Sequence, residues 1–351
     1  MIMNDAELGK PAEMDAWDPR RVIGGAVLAP MSGVTDVAFR RIARRFGASL
    51  VVSEMVASDE LVGRSAEALL RAEGLGISPH VVQLAGCDAR WMGEAARIAE
   101  ASGAAMIDIN MGCPAKRVIG GWSGSALMRD LDNATALITA VVGAVGIPVS
   151  VKMRLGWDET SMNAPELARR AEEAGVALVT VHGRTRQQFY KGAANWVAIR
   201  RVREATSLPL VVNGDIVDGK TAEAALSASG ADAVMLGRAA VGRPWLVGQI
   251  AAERATGAPT PEPPAEAKTA AAIQHYEGLL TIYGIRTGLR HARKHLAAYC
   301  ADAARCGSET AEACRTELVT SETPGRVLAL LERLYEGSSG ATDRADLMKA
   351  A

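Results

Sequence analysis

Eight short β-branched runs, each followed by a stretch of helical periodicity, recur through the first two thirds of the chain and limit its fold more than any other feature. The runs are Val27 to Pro30, Leu50 to Ser53, Val81 to Ala85, Met106 to Asn110, Val149 to Met153, Leu178 to His182, Leu210 to Asn213 and Val234 to Gly237. Between them Asp36 to Phe46, Ala89 to Ala101, Asp132 to Val145, Ala164 to Ala174, Trp196 to Ala205 and Lys220 to Ser229 read as helices. Several close on glycine (Gly47, Gly103, Gly146, Gly175, Gly230), the residue that most readily ends a helix in a left-handed turn. Near-continuous apolar strands alternating with helices predict a parallel sheet covered by helices. A count of eight predicts an α/β fold of the closed (β/α)8 type, the TIM barrel. An open doubly wound sheet is the fallback, but no G-x-G-x-x-G follows the first run, and the Gly24-Gly25 pair precedes it.

The 351 residues have room for a barrel and a smaller unit. The alternation stops after Ile250, Ala258-Pro259-Thr260-Pro261-Glu262-Pro263-Pro264 reads as a stiff linker, and from Ala265 the pattern is helical, with Ile273, Tyr276, Leu279, Leu280 and Tyr283 at core-facing intervals. The expected organisation is an N-terminal extension over 1–20, a barrel over 21–255, a Pro-rich linker over 256–265, a small C-terminal all-helical domain over 266–336 and a flexible tail over 337–351. A composition 49% hydrophobic and 23% charged argues against both disorder and a membrane protein. The acidic start, with Asp5, Glu7, Glu13 and Asp15, argues against a secretory signal, so a cytoplasmic location is expected. The five cysteines, at 87, 113, 300, 306 and 314, are too sparse for a disulfide framework, and Cys300, Cys306 and Cys314 lack a C-x-x-C knuckle. Reduced thiols and no metal are expected. A net charge of -1 speaks against a wholesale polyanion-binding surface while leaving room for local basic clusters.

Active sites of a barrel gather at the carboxyl ends of its strands. There the sequence puts Met31 and Ser32, Glu54, Gln83, Asn110 and Cys113, Lys152 and Arg154, His182 and Arg184, Asn213 and Asp215, and Gly237 and Arg238. Polar groups converging from every strand are expensive to bury without a polar ligand. In Asp108-Ile109-Asn110-Met111-Gly112-Cys113-Pro114, glycine and proline bracket the cysteine and force a turn, so the thiol faces a cavity; the plainer reading is a small buried hydrophobe. Asn213-Gly214-Asp215-Ile216 and Leu236-Gly237-Arg238-Ala239 resemble the phosphate site many barrels build from their last two loops. Lys152 projects into the barrel and needs an electron-rich partner. A flavin ring fits, with Gln83 on its pyrimidine edge; a Schiff base, or a pair with Glu54, are the other readings.

The ordered set Leu28-Ala29-Pro30-Met31-Ser32-Gly33-Val34-Thr35-Asp36 with Phe39-Arg40, Ser53-Glu54-Met55, Gln83-Leu84, Asn110-Met111-Gly112-Cys113-Pro114, Val151-Lys152-Met153-Arg154, Val181-His182-Gly183-Arg184-Thr185 and Asn213-Gly214-Asp215-Ile216 resembles the tRNA-dihydrouridine synthases. The resemblance is to their bacterial B-type branch and covers roughly residues 22 to 300. It implies an enzyme that uses FMN, with NADPH as reductant, to reduce the C5-C6 double bond of particular uridines in folded tRNA, in the D-loop for this branch. Carried over by motif, FMN would touch Pro30, Met31, Ser32, Gln83, Lys152, Asn213, Gly214, Asp215, Gly237 and Arg238, with His182 near its phosphate. Hydride would pass to C6 of uracil and Cys113 would give the proton to C5, while Asn110 and Arg154 are candidates to hold the uracil edge.

A base in folded tRNA must leave its stack to reach such a site. Lys116, Arg117, Arg184, Arg186 and Lys191 near the mouth, and Arg286, Arg290, Arg293 and Lys294 on the helical unit, are the candidates for tRNA contact, with a solvated charged face as the plainer reading. No obligate protein partner is evident. Two rival functions fit the same barrel. A flavin dehydrogenase of a free pyrimidine, of the dihydroorotate type, would need no helical appendage. An RNA-binding protein without catalysis would not need Cys113 and Lys152.

Overall fold

The computed structural model describes residues 18–338, without the side chain of Arg117. The expected extension and tail therefore lie almost wholly outside the described residues. Strands β1 (Ala26–Leu28), β2 (Leu50–Ala57), β3 (Val81–Ala85), β4 (Met106–Met111), β5 (Val149–Arg154), β6 (Leu178–His182), β7 (Leu210–Asn213) and β8 (Ala233–Leu236) pair in sequence order into a closed barrel, every pair parallel. Around it run α1 (Val37–Arg45), α2 (Ser58–Val62), α3 (Ala66–Ala72), α4 (Ala89–Ala101), α5 (Lys116–Gly120), α6 (Leu131–Val142), α7 (Ala164–Glu173), α8 (Trp196–Ala205), α9 (Gly219–Ser229) and α10 (Leu246–Thr256). Three helices follow: α11 (Ala265–Arg305), α12 (Glu309–Thr320) and α13 (Pro324–Glu332). Among the described residues no helix is long and apolar enough to cross a membrane.

The strands alternate between two buried environments, as a period of two requires when both faces are covered. Outward residues such as Leu28, Val51, Val82, Ile107, Val151, Val179 and Val212 pack under the helices. Inward positions change character along the barrel axis. The lower end is apolar, filled by Val27, Leu50, Val81, Met106, Leu178, Val211 and Ala233. Two residues further along the same strands stand Gln83, Asp108, Thr180 and Asn213, all buried and all polar. The barrel is thus an oily plug below and a polar cup above.

The differences from the sequence reading have local causes. β2 runs on to Ala57 instead of stopping at Ser53, because a register shift between Val52 and Met55 lets the strand continue past two polar residues. α6 stops at Val142 on Gly143, short of the expected Val145 and Gly146. The short helices α2, α3 and α5 carry too few turns to show a period. α1 begins where Asp36 accepts the amide of Phe39 at 3.0 Å, an N-cap worth about 1 kcal/mol. The long helix α11 breaks at Gly284, whose φ of 72° is open to glycine at little cost. Its core-facing residues Tyr276 and Leu279 join Tyr299, Leu318, Val327 and Leu331 in a second hydrophobic cluster, to which Ile42 of α1 and Trp245 before α10 contribute from the barrel side.

α10 packs against the end of α1 with no room to spare. A Cβ on Gly248 would lie 1.8 Å from the Phe46 carbonyl oxygen and 2.5 Å from its carbon, both backbone atoms. Gly248→Ala is expected to destabilise the protein by about 1–3 kcal/mol through forced backbone movement, read from urea denaturation midpoints at unchanged slope.

Candidate active site

The polar cup is organised around one buried carboxylate. Asp108, in the middle of β4, accepts hydrogen bonds from Ser150 Oγ at 2.6 Å and Gln83 Nε2 at 2.6 Å. Burial raises its pKa to about 6 against those two bonds. With its amide nitrogen fixed there, Gln83 turns its carbonyl oxygen to Asn110 Nδ2 at 2.7 Å. The Asn110 oxygen then accepts the backbone amides of Gly112 at 3.1 Å and Cys113 at 2.9 Å. Ser125 closes the loop from the far side, its amide and hydroxyl reaching the Cys113 carbonyl at 3.0 and 2.8 Å. The turn after β4 is held by this chain, and Cys113, half-buried, stands where the strand leaves the barrel.

On β5 the register sets Lys152 beside Asn110. Its ammonium donates to Asn213 Oδ1 at 3.2 Å, and Asn213 Nδ2 in turn donates to the Met235 carbonyl at 2.8 Å. Burial, followed by the neighbouring charge of Arg154, pulls the Lys152 pKa down from 10.5 to about 8. Lys152 and Arg154 are both within electrostatic reach of Cys113. His182, on β6, is pushed well below its usual pKa by burial and then by Lys152, Arg154, Arg184 and Arg238, so its imidazole is neutral at physiological pH.

Several residues are brought to the expected place but differently employed. Arg184 is no surface contact: 2% exposed, it makes a two-pronged pair with Asp215 at 2.5 and 3.0 Å and donates to the Lys191 and Gly192 carbonyls. It pins the loop after β6 and is unavailable to RNA. The Asp215 carboxylate is consumed by Arg184, the Ala194 amide and, at 3.3 Å, Arg238, so it serves to position cations instead of facing a ligand anion. Arg154 is also buried and spends Nε on the Gly112 carbonyl and Nη1 on those of Thr185 and Phe189. Asn110 likewise holds the cysteine turn, which uses its oxygen fully. The Glu54 reading fails too. The register shift in β2 sends its carboxylate to the amide of Gly33, away from Lys152, into a cavity of about 320 Å³ walled by Leu70, Tyr283 and His291.

Other candidates remain accessible. Arg238 is 65% exposed, Ser32, Lys116 and Lys191 are exposed, and Gly214 keeps φ at 116° with His182 and Ala194 so close that a Cβ would meet them at 2.9 and 2.8 Å. Arg286, Arg290, Arg293 and Lys294 are all exposed on α11, and Lys294 Nζ lies 3.5 Å from the point a Cβ on Gly33 would occupy, which carries the stripe to the loop after β1. Arg117 follows Lys116 in the first turn of α5, with its side chain outside the described residues. Cys300 and Cys314 are buried in the helical cluster while Cys306 receives Lys268 Nζ at 3.2 Å, so the three thiols are not gathered into one knuckle.

Three further residues of the site are not among those the sequence singles out. Asp108 was legible as a carboxylate inside an apolar strand, and Ser125 and Tyr190 had no signal of their own. Tyr190, 51% exposed, lies between Arg154 and Arg238, with guanidinium-to-ring distances of 5.6 and 5.2 Å. In the same segment Arg186, partly buried, stacks on Trp157 at 4.7 Å with Arg129 on the same ring at 4.9 Å. Such alternation of cations and aromatic faces is the composition of a stacking platform for bases.

A family model described as dihydrouridine synthase (Dus) matches residues 27–336, beyond the point near 300 where the motif resemblance ends. The chain is 55% identical over 318 residues to a protein named probable tRNA-dihydrouridine synthase from Rhizobium leguminosarum bv. phaseoli, covering 90% of this chain and 96% of that one. It is 50% identical over 327 residues to a protein of the same name from Rhodobacter capsulatus, covering 92% and 98%. With tRNA-dihydrouridine synthase B of Xanthomonas axonopodis pv. citri the identity is 43% over 319 residues, covering 91% and 95%. A match that runs from the first strand into the last helix, at these identities, leaves one assignment: the chain belongs to the dihydrouridine synthase family of oxidoreductases.

Proposed function

We propose that this protein is a cytoplasmic tRNA-dihydrouridine synthase that uses FMN, reduced by NADPH, to saturate the C5-C6 bond of specific D-loop uridines. One observation carries the reading: a cysteine turn locked at the barrel mouth by a buried polar chain, on the strand next to an under-partnered lysine. The residues fit a flavin. Lys152 has a single oxygen partner and a pKa depressed to about 8, the condition of a buried cation that an electron-rich ring would relieve. Pro30, Met31 and Ser32 at the end of β1, with Gln83 and Lys152, would hold the ring; His182, Asn213, Gly214, Gly237 and Arg238 would hold the phosphate side, where Asp215 orients Arg238. When bound, the flavin supplies the hydride for uracil C6.

The chain's own part is the proton and the positioning. Cys113 gives its S-H proton to C5, and the sulfur left as thiolate is stabilised by Lys152 and Arg154. Arg154, held by three carbonyls, fixes the turn and keeps Nη2 for the uracil edge. Extruding the base costs a few kcal/mol, which Tyr190 and the cations Lys116, Arg117, Arg186 and Lys191 offset at the mouth. The helical segment 266–336 presents Arg286, Arg290, Arg293 and Lys294 to the phosphates and serves as the tRNA-recognition unit beside the catalytic barrel over 21–255.

Two outcomes are expected. First, with FMN and NADPH the protein forms dihydrouridine in tRNA lacking it and leaves free orotate unreduced, as followed by mass spectrometry of digested tRNA and by orotate absorbance. Turnover of orotate would favour the free-pyrimidine dehydrogenase. Failure to hold FMN or reduce either substrate would favour a non-catalytic binder. Second, the folded-state pKa of Lys152 lies below its unfolded value, so its buried charge weakens the fold below pH of about 8, a penalty that fades as pH rises towards 10.5. An anion bound beside it raises the Lys152 pKa, so binding above pH 8 requires Lys152 to take up a proton, and affinity for reduced FMN is expected to fall by up to about tenfold per pH unit above 8. Potentiometric titrations should show this slope in the wild type and lose it in Lys152→Met; an equal slope in both removes Lys152 from the flavin.

A further inference from the structure

Apart from the residues of the polar cup, three buried side chains of ligand type meet where the loop after β1 contacts α11. We propose that Asp36, His275 and His295 form a binding site for a divalent transition-metal ion, Zn²⁺ being the ion best suited to two imidazoles and one carboxylate. One ligand atom of each lies within 4.8 Å of the other two, and Asp36 Oδ2 stands 3.5 Å from His275 Nε2. Ligands about 2.0–2.1 Å from a tetrahedral ion sit roughly 3.3–3.4 Å apart, a spacing the Asp36–His275 pair nearly has, and the separations to His295, within 4.8 Å, would close by at most about 1.4 Å.

His295 supplies the independent reason to expect an occupant. It is 1% exposed, and neither of its ring nitrogens has a hydrogen-bond partner. A buried imidazole in that condition is costly, and an ion would engage a lone pair that nothing else takes. The surrounding groups are arranged as metal ligands usually are. His275 Nδ1 faces the Tyr299 hydroxyl at 3.1 Å, and the second Asp36 oxygen accepts the Phe39 amide at 3.0 Å. Arg40 donates to the Thr35 and Glu73 carbonyls and not to Asp36, whose Oδ2 meets, among the described residues, only His275 Nε2, at 3.5 Å. In contrast, the acids of the Glu262, Asp302 and Cys306 cluster are already paired with Arg243, Lys268 and Arg305.

His275 and His295 stand on opposite sides of the break at Gly284, and Asp36 caps α1. An ion bound to all three ties both halves of α11 to the barrel, beside the basic stripe from Arg286 to Lys294. The site does not depend on the proposed reaction.

The test uses full-length, flavin-loaded protein stripped with a chelator, re-equilibrated with Zn²⁺ and desalted. Elemental mass spectrometry should find about one zinc per chain, with a raised melting temperature relative to the stripped protein. Tyr299→Phe, which keeps the packing and removes the His275 partner, should weaken zinc affinity by about 10–100-fold in chelator competition. His295→Gln should abolish retention. Crystals measured at the zinc edge should place the anomalous peak among the three side chains. The proposal is overturned by a wild type that retains no zinc, by wild-type retention in both variants, or by a peak elsewhere, as at Cys306.

Discussion

The geometry of the mouth depends on the bonds that a buried carboxylate accepts. Asp108 lies in a barrel interior that raises its pKa to about 6, and its two close donors, Ser150 and Gln83, decide the orientation of everything above it. Once the Gln83 nitrogen faces Asp108, its oxygen has to face Asn110, and Asn110 has its own oxygen left for the amides of the cysteine turn. A side chain placed by such a chain has little freedom, because breaking any link strands a buried donor or acceptor at about 1–3 kcal/mol. The polar cup is therefore a rigid support, and the thiol at its rim inherits the precision of the strands.

Charge is divided by depth in a way that separates support from contact. Arg154 and Arg184 are buried and hold loop carbonyls, and Arg184 with Asp215 staples the segment after β6 to that after β7. Arg238, Lys191 and the stripe on α11 are exposed and face the same end of the barrel. A neutral His182 amid these cations adds a polar surface without adding to the repulsion. The mouth therefore concentrates positive potential on a chain of net charge -1, the condition for drawing in a polyanion locally without binding it everywhere.

The fold was legible because the alternation of strands and helices is a long-range pattern that short errors do not disturb. The strand ends gave most of the cup residues, since in a barrel a position along the strand is also a depth. What could not be read was the partner of each polar group. Arg184 and Lys191 look alike as basic residues after β6, but only the three-dimensional course of the loop turns one inward to Asp215 and the other out. Glu54 was misplaced by a single register shift in β2, which no periodicity announces. The meeting of Asp36 with His275 and His295 joins residues more than two hundred positions apart, and no local spacing carries that information.

We assign the proton for uracil C5 to this fixed thiol. The deciding experiment is a single turnover of pre-reduced flavoprotein on tRNA lacking dihydrouridine, comparing wild type with Cys113→Ala at matched flavin content. The variant is expected to keep its flavin and fold normally while the rate of dihydrouridine formation falls by about 10²–10⁴-fold, the usual contribution of a positioned general acid. A variant that reduces tRNA at the wild-type rate would contradict it.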